Sequence, residues 1–283
     1  MSHPSSIDWD ASFFRAVSED LADDQRWSTW EHTERLNRGP EPWPEWLVTS
    51  AAAIDTELGI LKSGKEADVF LLERAVPDDP AQSCLLAAKR YRSSERRLFH
   101  RDTGYTEGRR VRNSRDGRAM ARKSLHGRAV EAGLWAAAEW TALKRLYLAG
   151  VPVPYPVQID GGEILMEYIH DGEAAAPRLH QTRPSPSELQ ALFEQLRDAL
   201  YTMTELGLVH GDLSPYNTLV TGLGTSAPRL VIIDVPQLVD LVANPNAYEF
   251  LYRDCTNMAN WFAAKGLSID GEEFYADVVT RAW

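Results

Sequence analysis

Two stretches hold residues whose types and order could do chemistry: LVHGDLSPYNTLV at 208–220 and LVIIDVPQ at 230–237. They place Asp212 and Asn217 five positions apart on a loop after a helix-like run, with Asp234 at the end of a β-like run shortly after. Transfer of a phosphoryl group needs such a set. One carboxylate must orient the attacking hydroxyl and accept its proton, and oxygen donors must hold Mg²⁺ against the phosphates of a nucleotide. Asp212 suits the first role, Asn217 and Asp234 the second. A lone His-x-Asp tripeptide says little, whereas the ordered set of three at this spacing is specific.

The same chemistry calls for a cation on a strand to hold the α- and β-phosphates, and for a helix carboxylate to hold that cation. Lys89 in LLAAKRY supplies the cation. Glu139 lies in WAAAEW, an otherwise apolar part of a long helical run, where an unpaired charge is costly. Glu131 on the same run is the competitor, and Glu139 is preferred for its apolar setting. Upstream, GILKSGKEADVF at 59–70 has P-loop spacing as far as its Gly-Lys, but Glu66 stands where a P-loop carries Ser or Thr. The run that follows is β-like, whereas a P-loop enters a helix. We therefore read a loop that joins two strands and covers the phosphates with Ser63, Gly64 and backbone amides. Lys65 and Glu66 could reach the nucleotide or each other. Adenine is expected against ILMEYI, with the backbone from Glu167 to Ile169 pairing with the base edge and Met166 lining its back wall.

These residues need strands and helices to place them. ADVFLLER (67–74) and CLLAAKRY (84–91) are β-like and are separated by turn-rich VPDDPAQS, which predicts a hairpin. From Gly127 to Gly150 the chain is rich in Ala and Leu, free of proline and closed by glycine, which predicts a helix with Leu134, Trp135, Ala138, Ala142 and Leu146 on its apolar side. VPVPYPVQIDGGEILMEYI then gives a loop and two strands about Gly161-Gly162. A second helix, Ser187 to Leu206, carries Leu189, Leu192, Phe193, Leu196, Leu200 and Met203. We divide the chain into an acidic, Trp-rich extension (1–46), a first lobe (47–166) with a flexible basic insertion at about 93–128, and a reduced, mostly helical second lobe (167–283). Tryptophans scattered through the extension, among them Trp9, Trp27, Trp30 and Trp43, predict docking on the main domain rather than a free arm.

Composition narrows the class. The chain has 283 residues, no apolar run approaching the roughly 20 that a membrane span requires, and no basic-then-apolar start of the secretory kind. A soluble protein without membrane partners follows. Its two cysteines, Cys84 and Cys255, have no metal-type spacing and fit a reducing cytoplasm. The net charge of −11 argues against a general polyanion binder, yet 89–128 holds 14 Lys/Arg against 4 Asp/Glu. That island is either a solvated loop or a surface for phosphates or nucleic acid.

Taken together, SGKEADVF, AAKRY, LVHGDLSPYN and IIDVPQ resemble the phosphate loop, lysine strand, catalytic loop and metal-binding loop of the RIO family of atypical serine/threonine protein kinases, over about Leu47 to Phe262. The resemblance is to the branch without an N-terminal winged helix, as a bacterial-type member. It implies an α+β, bilobal protein-kinase-like fold, with an antiparallel sheet plus one helix in the N-lobe. It also implies ATP with Mg²⁺, or Mn²⁺ in its place, phosphorylation of protein Ser/Thr with autophosphorylation, and a nucleotide-contacting Ser214. In archaeal and eukaryotic members it further implies ATPase-driven service in small-ribosomal-subunit maturation, so rRNA or a ribosomal particle is the expected partner of the basic segment, and Asp234 could carry a phosphoaspartate. The basic island corresponds to the family's flexible insertion. Gly211 stands where ordinary kinases place Arg and no Ala-Pro-Glu follows Asp234, which puts phosphorylation of free peptides in doubt. The competing enzyme is a small-molecule phosphotransferase of the aminoglycoside or choline kinase sort.

Overall fold

The computed structural model describes residues 21–92, 125–236 and 238–282, with the backbone alone for 125–131. Most of the basic island, the first 20 residues and the side chain of Glu131 lie outside the described residues. Strands β1 (Gln25–Trp27), β2 (Ile54–Ser63), β3 (Ala67–Val76), β4 (Asp79–Tyr91), β5 (Pro156–Asp160) and β6 (Glu163–Glu167) form one antiparallel sheet in the order β1-β2-β3-β4-β6-β5. Alternation along β4 turns Cys84, Leu86 and Ala88 inward. The predicted hairpin forms, but its turn is shorter than the sequence suggested. Val76 pairs with Asp79, and Asp78 makes the reversal in the left-handed region with φ 63°, which Asp tolerates better than most residues. Most of the VPDDPAQS linker therefore belongs to the strands.

Helix α1 (Leu125–Leu148) crosses the sheet. Its buried side is Ala132, Ala136, Glu139, Leu143 and Leu146, with Trp140 and Ala142 beside it. Leu134, expected on that side, is 43% exposed. An alanine-rich helix marks its faces weakly, and the buried stripe runs through a glutamate that a hydrophobicity pattern counts as polar. Helix α2 (Pro186–Glu205) starts at a capping box: Ser185 Oγ accepts from the Glu188 amide and Glu188 Oε2 accepts from the Ser185 amide. Leu189, Leu192, Leu196, Leu200 and Met203 are buried as expected. Helices α3 (Ala247–Ala264) and α4 (Gly271–Val279) pack on α2 and on each other.

The short ladders place the chemistry. Strands β7 (His170–Asp171) and β8 (Ala174–Ala175) pair beyond the first lobe. β9 (Leu208–Val209) pairs with β12 (Val239–Asp240), and β10 (Thr218–Thr221) pairs with β11 (Arg229–Ile232). Asp212 and Asn217 thus sit between β9 and β10, and Asp234 two residues beyond β11. The segment 21–53 lies against the sheet, with Trp30, Leu47, Val48 and Ala53 buried in one cluster with Leu72, Leu86, Tyr155 and Val157. Among the described residues no helix is long and apolar enough to cross a membrane.

Candidate active site

β4 and α1 bring Lys89 and Glu139 together across 50 residues of chain: Lys89 Nζ donates to Glu139 Oε1 at 2.7 Å and to Asp234 Oδ1 at 2.8 Å. Lys89 pairs with Val69 on one side and Ile164 on the other, which fixes it in mid-sheet. Burial opposes its charge, but the two carboxylates outweigh burial and hold its pKa above the ordinary lysine value. Glu139 is 2% exposed and also accepts from the Tyr91 hydroxyl. Burial and the Glu139 charge raise the Tyr91 pKa, so it serves as a neutral donor. For Asp234, burial pushes upward, but Lys89, with help from Lys62, brings the carboxyl to about 2. Asp234 has φ 65°, a left-handed conformation that a non-glycine residue adopts at a cost and its surroundings must hold.

The loop bearing Asp212 is held from below. His210 is fully buried. Its Nε2 lies 3.1 Å from the Ile233 carbonyl, and its Nδ1 accepts from the Asp212 amide at 3.3 Å. Burial lowers its pKa, so the ring is neutral with the proton on Nε2. Asp254 on α3 accepts from the amides of Gly211 at 2.8 Å and Leu213 at 3.0 Å, on either side of Asp212. Arg253 donates to the Gly211 carbonyl. Burial pushes Asp254 up to about 7 against the pull of those two amides. Above this anchor the Asp212 side chain is exposed. Asn217 Nδ2 donates to Asp212 O at 2.9 Å and to Asp212 Oδ2 at 3.3 Å. Asn217 Oδ1 and Asp234 Oδ2 have no protein donor among the described residues, and such oxygens suit Mg²⁺. No group of three or more His, Cys, Asp or Glu gathers among the described residues. Two protein oxygens completed by phosphates is the usual way such a site holds Mg²⁺, so the donor set fits.

The predicted nucleotide contacts fall into two groups. Glu167 gives its amide to the Tyr155 carbonyl at 2.8 Å and accepts from the Tyr155 amide through its side chain, so that amide is not open to a base. Ile169 gives its carbonyl to the Ala176 amide, and its own amide has no acceptor among the described residues. Met166 packs on the core beside them. In the loop between β2 and β3, Ser63 Oγ donates to Asp68 Oδ1 at 2.7 Å and accepts from Arg92 at 2.7 Å. The Gly64 amide donates to the Ala67 carbonyl at 3.0 Å, and a Cβ on Gly64 would meet that oxygen at 2.9 Å. Both groups are therefore satisfied inside the loop, and reaching a phosphate requires those bonds to open. Lys65 is exposed, and the Ser214 carbonyl accepts from the Asn217 amide.

Sequence reasoning missed four residues. Tyr91 was findable, since it is two positions from Lys89 and so faces the same way. Asp254 lacked the cue that selected Glu139, since Arg253, Thr256 and Asn257 surround it with polar residues. Arg253, its neighbour, had none either. Lys62, at the end of β2, lies in the field of Asp234 and Glu139, with Lys89 and Arg178 opposing. Burial sets the downward direction of its pKa.

A family model described as the RIO domain matches residues 85–274. The chain is 33% identical over 222 residues to the RIO-type serine/threonine-protein kinase Rio1 of Haloferax volcanii, covering 78% of this chain and 68% of that one. It is 30% identical over 225 residues to human serine/threonine-protein kinase RIO1, covering 76% of this chain but only 35% of the relative. Mouse RIO3 is 29% identical over 231 residues, with 41% of its length covered. The chain thus spans less than half of these animal relatives. Among solved structures, the Rio2 kinase–ADP/Mg²⁺–phosphoaspartate complex of Chaetomium thermophilum aligns with a TM-score of 0.57 at 21% identity, covering 80% of this chain and 62% of that one. The fold is accordingly protein-kinase-like, of mixed α+β type.

Proposed function

Because this chain belongs to the RIO family of serine/threonine kinases, we propose that it uses ATP to phosphorylate Ser and Thr hydroxyls of proteins, its own included. One observation carries the reading at the level of atoms: a part-buried strand lysine held between a helix carboxylate and Asp234, next to the anchored loop that presents Asp212. In this scheme Lys89 holds the α- and β-phosphates, and Glu139 with Tyr91 fixes the ammonium. Asp212 accepts the proton of the attacking hydroxyl. Asn217 and Asp234 are the residues that would hold Mg²⁺, or Mn²⁺ in its place, which when bound neutralises charge on the phosphates. The Ile169 amide faces the adenine edge, Met166 backs it, and Ser63, Gly64, Lys65 and Ser214 contact the nucleotide once the loop opens. The small-molecule phosphotransferase reading is not favoured, since the relatives are serine/threonine-protein kinases.

A second outcome of the same site is transfer to Asp234 itself, followed by hydrolysis, which would make the protein an ATP-driven switch. The Rio2 neighbour is described as a phosphoaspartate complex, and the Asp234 side chain is 37% exposed here. The basic 89–128 segment would then dock to rRNA or another polyanion, with affinity that falls steeply as salt rises. Incubation with γ-labelled ATP and Mg²⁺ tests both. Acid-stable protein-bound label supports Ser/Thr transfer, and hydroxylamine-labile label with phosphate release supports the aspartyl route. If the wild-type protein gives no label and releases no phosphate, the reading is contradicted.

A further inference from the structure

The helix that carries Glu139 is held on a second side by a segment outside the 85–274 match. A 3-10 turn at Arg35–Asn37 presents backbone carbonyls to α1. Trp140 Nε1 donates to Leu36 O at 3.3 Å, and Lys144 Nζ donates to Leu36 O and to Arg38 O, both at 3.1 Å. Trp140 and Lys144 are one turn apart and so share a face, and Lys144 Nζ sits 5.3 Å from the Trp140 ring centroid. Trp140 directly follows Glu139, so holding the helix backbone at Trp140 also holds it at Glu139.

The segment behind those carbonyls is itself fixed to the sheet. The Gly39 amide donates to Val157 O at 2.8 Å, and the Pro40 carbonyl accepts from the Tyr155 hydroxyl at 2.9 Å. A Cβ on Gly39 would lie 2.0 Å from Pro156 O, so only glycine permits this approach. Gln158 donates to Thr29 Oγ1 at 2.7 Å, the Arg38 guanidinium lies 5.2 Å over the Trp30 ring, and β1 is paired to β2. The strap is thus tied to β2 and β5 on either side of its contact with α1.

We propose that residues 25–53 form a positioning strap for phosphoryl transfer, with Trp140 and Lys144 as the positioning residues that keep Glu139 within hydrogen-bond reach of Lys89. This rests on the reading that the Lys89–Glu139 pair serves catalysis. The chemistry of the contact explains its form. Two donors on one helix face meet carbonyls at the end of a short turn, so the helix is fixed in rotation and in height without an ion pair.

The test is a double-mutant cycle on the full chain, reading kcat and KM for ATP from labelled-phosphate transfer, with thermal melts as a control. Trp140→Phe combined with Lys144→Met removes the donors and keeps ring and stem. Displacing an anchored catalytic group by about 1 Å can cost up to 10²-fold, so kcat is expected to fall roughly 10- to 100-fold with KM changed by less than about threefold. Lys144→Arg, which keeps donors and charge, is expected to restore most of that loss when paired with Trp140→Phe. In a Glu139→Gln background the strap variants are expected to add nothing, since the group they position is already gone. Strap variants that melt lower but keep wild-type kcat, or whose losses multiply with that of Glu139→Gln, overturn the strap's role and leave the catalytic pair intact. Wild-type kcat in Glu139→Gln, or no transfer by the wild-type chain, overturns the underlying reading and the strap's role with it.

Discussion

Among the described residues, two cation–carboxylate groups on neighbouring strands of the first lobe, one buried and one part-buried, differ in kind. Arg74 on β3 is fully buried and forms a fork on Asp55, at 2.7 and 2.9 Å, with Gln158 Oε1 at 3.1 Å. All its partners belong to the same sheet. Lys89 on β4 instead joins three units: the sheet, helix α1 and the Asp234 loop of the second lobe. Its side chain is 12% exposed, and its Asp234 partner 37%. Arginine's planar fork suits a fixed bidentate pair, whereas lysine's single ammonium can exchange partners. The first group specifies the sheet. The second ties the sheet to the helix and to the second lobe.

The contrast can be broken by mutation, and the largest effect is expected at the lysine. Lys89→Met should lower kcat by about 10³-fold while the protein stays folded, measured by phosphate transfer beside circular dichroism. Arg74→Met should do the reverse. Leaving buried Asp55 with only the longer Arg26 contact at 3.8 Å costs up to about 3–5 kcal/mol, to be read by urea unfolding, with kcat of the folded fraction unchanged. If Arg74→Met abolished transfer in the folded state, the division between the two groups would fail.

A smaller effect is expected at Asp254, whose pKa of about 7 lies above its ordinary 3.8. The native state holds this proton between those values and the unfolded state does not. Its contribution to stability is therefore fully present below 3.8 and lost as pH rises to about 7. The anchor on Gly211 and Leu213 is strongest when ionised, so turnover should rise through pH 7 as that stability falls. Asp254→Asn should flatten both trends. The smallest effect is expected at the phosphate loop's base, where Lys62→Met should raise KM for ATP by about three- to tenfold and leave kcat within about twofold. A pure kcat effect there would instead place Lys62 at the reacting centre.

The sequence made the chemistry more legible than the geometry behind it. Asp212, Asn217 and Asp234 could be singled out because phosphoryl transfer constrains residue type and spacing, and Lys89 because a charge inside an apolar strand needs a reason; the structure joins Lys89 to Asp234 and Asn217 to Asp212. Glu139 was chosen over Glu131 by the same logic, and it is Glu139 that the structure pairs with Lys89. The stripe on α1 was misread because that helix is alanine-rich and buries a glutamate. The hairpin turn was placed too wide because Pro77 and Pro80 look like loop residues, and pairing between Val76 and Asp79 is a property of the sheet rather than of the local sequence. Carbonyl acceptors such as Leu36 O carry no side-chain signal at all, so no reading of residue types could find them.

The most direct test of the central claim separates binding from chemistry at Asp212. Mg·ATP affinity and single-turnover transfer would be measured for wild type and Asp212→Asn, which keeps shape and removes the proton acceptor. The geometry predicts affinity within about threefold of wild type and transfer slower by about 10²- to 10⁴-fold. Transfer at the wild-type rate with binding intact would contradict it, and would remove Asp212 from the reaction.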